Sequence, residues 1–422
     1  MGTERERIQV RGNLGVMMLT SGIWTFGGQL AWPFRSLYVL SLGGTYFDIG
    51  LISAIGSVFG VLPSFLGGYL ADTLGRKKML YSMSFLLAVN SLIYFAAPTW
   101  HWLILATAVD SIASGLRGPA FNALVADSTI QERRAESYAL LNIVPPLFGI
   151  FSPYIIGVYM DRWGVLPAQR AAFLVLFGTS MIASFMRFRF ISETLPEEER
   201  EQVRPSQVLR ETFTGIRETT GVMSRPLWVL TAMGMLFGVA TAIGSSFYVT
   251  YATGDVIHLT NAQWGFISTV NMVINTLVTL PFARLSDQRG RRALILLSLA
   301  LTPPAIVAFV LSEGFTQVLA VNIFLTVLGS MGGAASQALF VDHSPRDHRG
   351  RINALWSVMG TVQNFKWGAA SGSIIGAVGS LLGGYLYGNV SMALPLYLNA
   401  GLIGVAALIG VAMLREPERK TG

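Results

Sequence analysis

Three ionisable side chains interrupt long apolar runs in the first third of the chain. Arg35 follows Pro33 in one run, and Asp110 and Arg117 stand seven residues apart in another. On a helix this spacing puts both residues on one face, about 10.5 Å apart along the axis, too far for an ion pair unless the side chains bend together. A guanidinium can bind a carboxylate or phosphate, and a buried carboxylate can exchange a proton. These residues are therefore candidates for anion binding and proton exchange.

The composition shows what kind of element must position these residues. Of 422 residues, 52% are hydrophobic and only 13% are charged, whereas soluble proteins carry about 25% charged residues. The bilayer must therefore be the solvent for much of the surface. The chain has no cysteine and only four scattered histidines, so we expect no disulfide, no metal site and no cofactor. The net charge of +7 indicates membrane orientation rather than nucleic-acid binding.

Apolar runs long enough to cross a bilayer number twelve, since a spanning helix needs about 20 residues. The predicted fold class is an all-α integral membrane protein with twelve transmembrane helices in two pseudo-symmetric bundles of six. We expect an amino-terminal bundle over residues 1–190, a cytoplasmic linker with an amphipathic helix over 191–226, and a carboxy-terminal bundle over 227–422. The runs lie near 14–41, 47–70, 79–98, 102–125, 137–160, 169–190, 227–252, 263–285, 293–311, 315–341, 360–387 and 392–414.

The basic residues predict the orientation in the membrane. Of the 30 Lys and Arg residues, we interpret only Arg35, Arg117 and Lys366 as cations within spans. We assign nearly all the others to the amino terminus, to the loops that follow even-numbered spans, or to the carboxy terminus. Because cytoplasmic loops carry the excess of Lys and Arg, we expect a multi-pass protein of a prokaryotic plasma membrane with both termini in the cytoplasm.

A charged loop between the second and third spans, from Gly68 to Lys78, recurs 215 positions later. A second charged loop, after the fourth span, recurs at the same shift after the tenth. Two loops in one register indicate an internal duplication. The matching positions are Asp72 and Asp287, Gly75 and Gly290, Arg76 and Arg291, Asp127 and Asp342, and Arg134 and Arg349.

Each residue type in the first loop has a physical use. Gly68 would let two helices approach closely, and Gly75 permits a short turn with positive φ. Asp72 can accept hydrogen bonds from a helix end or pair with an arginine, and Arg76 can reach Asp127. The loop cations can also be simple anchors on the cytoplasmic side.

Twelve spans in two halves, the middle loop and the repeated glycine-acid-basic motif resemble the major facilitator superfamily. The resemblance implies a secondary transporter rather than an enzyme, with a small-molecule substrate that binds between two parallel repeats. It also implies that the repeated loops form a cytoplasmic gate. Two positions depart from the family pattern, because Thr73 replaces a basic residue and Ala283 replaces the first glycine of the second copy.

Other side chains in the spans are further candidates for contacts with the substrate or with protons. Asn271 and Asn275 share a helical face, although such amides often only join helices. Arg35 can instead extend its charge to the outer interface, and Lys366 can be an inner-interface lysine if the eleventh span starts late. The remaining candidates are Trp24, Gln29, Tyr248 and Tyr251.

Three functions stay open at this point. The excess of intramembrane cations favours alternating-access transport of a small organic, anionic solute coupled to protons by a monomeric protein. Efflux of drugs by proton antiport is the alternative, although the order of glycines and prolines in the fifth span differs from that of many antiporters. A membrane sensor with a transporter fold would be expected to carry an extra soluble domain or a long tail.

Overall fold

The computed structural model describes residues 4–129, 134–199, 221, 223–344 and 374–414. Within these ranges every regular element is helical. The longer helices are α1 (Glu4–Ala31), α2 (Arg35–Ser41), α3 (Tyr46–Leu74), α4 (Arg76–Ala96), α5 (His101–Asp127), α6 (Arg134–Gly149), α7 (Ser152–Trp163), α8 (Val165–Phe190), α9 (Arg225–Gly244), α10 (Asn261–Arg289), α11 (Arg291–Val310), α12 (Phe315–His343), α13 (Ile374–Asn389) and α14 (Leu394–Met413).

Length and apolar composition make nine helical segments of the described ranges able to cross a membrane. The predicted all-α, multi-pass membrane fold is confirmed. Most observed helices match the predicted runs to within a few residues. The first helix begins at Glu4, ten residues before the predicted start, because it also includes charged residues that precede the apolar run. The seventh run continues beyond α9 as short helical turns up to Asp255, and the eleventh run is described only from residue 374 onward. The predicted amphipathic helix of the linker lies outside the described residues.

Two compact units make up the chain. The first contains residues 1–43 and 59–212, and the second contains residues 44–58 and 213–422. The division falls inside α3, whose first residues belong to the second unit and whose remainder belongs to the first. The six-helix domain bounds expected from the sequence stay a prediction.

The fifth predicted span is broken in its middle. It forms two helices, α6 and α7, separated by a turn at Ile150 and Phe151. Pro145 and Pro146 lack backbone N–H donors and sit in the last turn of α6, while Pro153 lies in the first turn of α7, where proline is tolerated. The run of apolar residues predicts a membrane segment correctly, but the break between α6 and α7 lies between the prolines of these two helices.

The two copies of the charged loop have the same backbone geometry. Gly75 separates α3 from α4 with φ of 96°, and Gly290 separates α10 from α11 with φ of 95°. A residue with a Cβ atom rarely adopts such angles. The positive φ expected at Gly75 is confirmed, and its repeat-related glycine shares it.

Close helix approach in the first unit occurs at Gly67 rather than at Gly68. A Cβ atom added at Gly67 would lie 2.7 Å from the carbonyl oxygen of Leu116 and 2.9 Å from that of Gly115. The same addition at Gly68 would meet only Pro119, at an ordinary 3.8 Å. The interpretation of Gly68 as the close-packing glycine is therefore wrong, because the helical phase turns its neighbour toward α5.

Gly67→Ala is expected to destabilise the protein, and Gly68→Ala provides the matched control. The new methyl group at position 67 meets rigid backbone of α5 and forces the helices apart, at a cost of roughly 1–3 kcal/mol. Thermal unfolding of the purified variants in detergent, followed by tryptophan fluorescence, measures the difference. Equal melting temperatures for the two variants would contradict this description of the α3–α5 contact.

Candidate functional site

Two arginines of the first unit share one aromatic ring. The guanidinium carbon of Arg117, on α5, lies 4.6 Å from the ring centroid of Trp24, on α1. The guanidinium carbon of Arg187, on α8, lies 5.7 Å from the same centroid. Both distances are within the range of cation–π attraction. Three helices thus bring a tryptophan and two cations to one place.

Arg187 is held by hydroxyl groups of two other helices. Only 2% of the residue is exposed, and its Nε and Nη1 atoms donate to the hydroxyl oxygens of Thr20 at 3.1 Å and Ser84 at 2.8 Å. Each hydroxyl in turn donates a hydrogen bond to a backbone carbonyl of its own helix, Thr20 to Met17 and Ser84 to Leu80. Arg187 therefore ties α8 to α1 and α4 through neutral acceptors.

Arg187 is absent from the candidates that the sequence predicts. It stands close to Arg189 near the end of a span, where the positive-inside rule already explains an arginine. The sequence-based assignment of Arg187 to the interfacial cations is wrong, because the residue is buried. Arg189 is exposed, as that rule expects. A usable signal is present in the sequence, since Ser180, Ser184 and Arg187 follow an i, i+4, i+7 pattern and all three are buried.

Asp110 and Arg117 form no ion pair, as their spacing predicts. Among the described residues, Asp110 makes neither a hydrogen bond nor a salt bridge, but the positive charges of Arg117 and Arg35 act on its carboxyl group. Arg117 likewise forms no hydrogen bond with any described side chain or backbone group. The two groups interact through space along α5 while their polar atoms stay available to other partners.

Arg35 belongs to a separate aromatic cluster. Its guanidinium carbon lies 6.0 Å from the ring centroid of Trp32, and Trp32 packs edge to face on Tyr94 at 5.5 Å. Tyr94 in turn stacks on Phe173 at 4.7 Å and shares a 3.0 Å hydrogen bond with Thr107. The structure therefore places Arg35 on different aromatic rings from those beside Arg117.

The remaining candidates of the first unit make structural contacts or lie outside the described part. Gln29 lies against α6 at Gly149, where an added Cβ atom would be 3.1 Å from its Cγ atom. The side chain of Arg134 lies outside the described part, as do the whole residues Arg349 and Lys366 later in the chain, so their assigned roles stay predictions.

Candidates of the second unit mainly contact other helices of the same unit. Asn275 donates to the Ser330 hydroxyl at 2.9 Å and so joins α10 to α12, which is the interhelical role that such amides often have. Asn271 keeps a buried carbonyl oxygen without a partner among the described residues. Tyr248 is 4% exposed, and Tyr251 donates to the backbone of Val310 at 3.0 Å.

The repeated loops each contain one arginine between two carboxylates. Arg76 contacts Asp72 at 3.2 Å and also bonds Asp127. Arg291 contacts Asp287 at 3.3 Å and also bonds Asp342. The predicted contact of Arg76 with Asp127 is confirmed, and the second copy repeats it in the other unit.

Residues that follow α8 complete the first of these clusters. The Glu193 carboxylate accepts the backbone N–H groups of Arg76 at 3.2 Å and Lys77 at 3.1 Å, and so caps α4. The hydroxyl of Thr194 donates to Asp127 at 2.6 Å. Neither residue is among the candidates predicted from the sequence, because their partners are more than sixty positions away in the chain.

Comparison with known proteins relates the chain to one family of transporters. It matches the Major Facilitator Superfamily over residues 17–260 and 245–422. The multidrug resistance protein MdtG of Dickeya zeae is 27% identical to it over 337 residues, which cover 77% of this chain and 78% of that protein.

Solved structures show the same fold at low sequence identity. A peptide transporter, POT, solved in complex with sulfate, superimposes with a TM-score of 0.69 at 15% identity, covering 95% of this chain and 93% of that one. The nucleoside transporter NupG superimposes with a TM-score of 0.70 at 12% identity, covering 97% and 99%.

Asp127→Asn is expected to destabilise the protein more than Asp72→Asn. The Asp127 side chain is 32% exposed and the Asp72 side chain 50%, and Asp127 also accepts from Thr194. We expect a loss of about 1–2 kcal/mol for Asp127 and about 0.5 kcal/mol for Asp72. Thermal unfolding at low and high salt measures both losses, and a larger loss for Asp72→Asn would show that this ranking is wrong.

Proposed function

Since the chain belongs to the Major Facilitator Superfamily, whose members are non-enzymatic transporters of small molecules, we propose that it moves a negatively charged organic solute together with protons by alternating access. We also propose that it works as a monomer in a prokaryotic plasma membrane with both termini in the cytoplasm. The bacterial origin of the MdtG relative supports that location.

The observation that carries the anionic substrate is the state of Arg117. Arg117 stands in the middle of α5, and its guanidinium lies against Trp24 of α1. This guanidinium makes no hydrogen bond or ion pair with the described residues. A cation in a span is costly unless it is paired, and a guanidinium can bind a carboxylate or phosphate through two parallel hydrogen bonds. An anionic group of the solute is the partner that would offset this cost.

Asp110 supports the coupling to protons. Burial of its carboxyl group disfavours the ionised form, whereas the positive charges of Arg117 and Arg35 favour it. A solute anion bound at Arg117 would neutralise part of this charge, so it would favour proton uptake by Asp110. Binding of solute and proton would then reinforce each other, as symport requires.

The repeated loops have a proposed role in the same cycle. Each holds an arginine between two aspartates at a helix junction with a positive-φ glycine. We expect the Arg76 and Arg291 clusters to act as a cytoplasmic gate, with ion pairs that break and re-form as the protein changes state. The similar geometry of the two copies supports a shared role.

Asp110→Asn is expected to abolish the response of transport to a pH gradient. Proteoliposomes containing the wild type should take up radiolabelled phenylphosphonate faster when the outside is acidic, because protons enter with the anion. The variant lacks the titrating carboxyl and should take it up at one rate with or without the gradient. Asp161→Asn, a change of the same type at an exposed residue of α7, is the control and should keep the response.

Two results would contradict the proposed coupling. One is wild-type uptake that does not change with the gradient, and the other is an unchanged gradient response in Asp110→Asn. A loss of the response in Asp161→Asn as well would indicate a general effect of removing acidic charge rather than a role for Asp110.

Efflux of drugs is the second candidate function, because the MdtG relative is named as a multidrug resistance protein. If this chain exports amphipathic drugs, cells that express it should accumulate less ethidium than cells that express Asp110→Asn. If it carries organic anions, ethidium accumulation should be the same in both strains, since ethidium is a cation. A measurement of ethidium fluorescence in an efflux-deficient strain separates the two functions.

A further inference from the structure

We propose that Arg117 and Arg187 together form a binding site for a doubly charged oxyanion on Trp24, and that Arg187 sets the preference for two charges over one. The solute class is an organic phosphonate or phosphate monoester. This inference rests on the proposed transport of anions and assigns it a second arginine and a charge state.

Hydrogen-bond donors outnumber acceptors at this site. Arg117 carries five N–H donors, and none of them meets an acceptor among the described residues. The indole N–H of Trp24 also lacks a hydrogen-bond partner in the described part of the chain. Arg187 uses Nε and Nη1 on Thr20 and Ser84, which leaves further N–H groups on its guanidinium. A cluster of donors is complementary to the oxygens of an anion.

The charges at the site are unbalanced in the same sense. The positive charge of Arg117 acts on Arg187, and neither arginine forms an ion pair with a carboxylate of the described residues. The Asp110 carboxyl group acts on Arg117 only through space, and Thr20 and Ser84 supply only neutral oxygens. Two like charges near one ring in a membrane protein are costly, and a dianion offsets both, whereas a monoanion offsets one.

The arginines of the repeated loops provide a contrast within the same protein. Arg76 and Arg291 each contact two aspartates, so their charge is balanced by the chain itself. The charge of the Arg117 and Arg187 pair is not balanced in this way by the residues that the structure describes, although Arg187 is nearly fully buried. This difference is expected if the balancing charge arrives with the solute.

Arg187 also has a structural use, since its hydrogen bonds join three helices, and the test must separate this use from anion binding. Arg187→Gln removes the charge, and Arg187→Lys keeps it. Arg189→Gln removes an exposed cation two positions away and is the matched control.

The experiment compares two aromatic oxyanions that differ in charge. Phenylphosphonate carries two negative charges at alkaline pH and benzenesulfonate carries one. Binding of each to the purified full-length protein is measured by tryptophan fluorescence at constant ionic strength. The wild type and Arg189→Gln should bind phenylphosphonate about tenfold more tightly than benzenesulfonate, because a second nearby charge adds Coulomb attraction. Arg187→Gln should bind both anions about equally, and Arg187→Lys should keep the preference.

Each other outcome overturns a stated part of the proposal. If Arg187→Gln keeps the wild-type preference, the role of Arg187 is wrong while anion transport still stands. If Arg187→Lys loses the preference as Arg187→Gln does, the charge is not its cause and the inference also fails. If Arg189→Gln loses it too, the preference does not belong to this site. If the wild type binds neither anion, both this inference and the proposed anionic substrate fail.

Discussion

A guanidinium inside a membrane protein must find its partners in the protein or in a bound solute, because the surrounding lipid offers none. In the first unit this constraint fixes three helices at once. Arg187 on α8 donates to hydroxyl groups of α1 and α4, and its charge lies over Trp24 of α1. The position of Trp24 then determines what Arg117 of α5 contacts. The arrangement of the candidate site therefore depends on how one buried cation is satisfied.

The repeated loops meet the same constraint with carboxylates instead of hydroxyl groups. Arg76 and Arg291 each sit between two aspartates, at a junction where a positive-φ glycine turns the chain from one helix into the next. In the first unit Glu193 adds a cap on the helix that starts at Arg76. The cations at the helix junctions are paired with carboxylates, which is consistent with a role in the conformational cycle. The cations within the helices have no such carboxylate partner among the described residues, which is consistent with a role in binding.

Much of this could be predicted from the sequence, for reasons that differ between residues. The turn at Gly75 and the contact of Arg76 with Asp127 follow from local motifs and an internal repeat, both of which the sequence displays directly. Whether Gly67 or Gly68 faces α5 depends on the rotation of α3 about its axis. The hydropathy of the sequence does not determine this rotation to within one residue. Arg187 is not predicted because the positive-inside rule already explains a cation near the end of a span. Its burial becomes visible only in the structure, where its partners are on helices distant in the sequence.

The most direct test of the proposed site is the location of a bound anion in an experimental structure. The bromine of p-bromophenylphosphonate gives an anomalous signal that marks the ligand independently of the protein atoms. We predict a single strong signal beside Trp24, with phosphonate oxygens within hydrogen-bond distance of Arg117 and on the side of the ring that faces Arg187. A ligand bound elsewhere in the chain, with the donors of Arg117 still unoccupied, would contradict it.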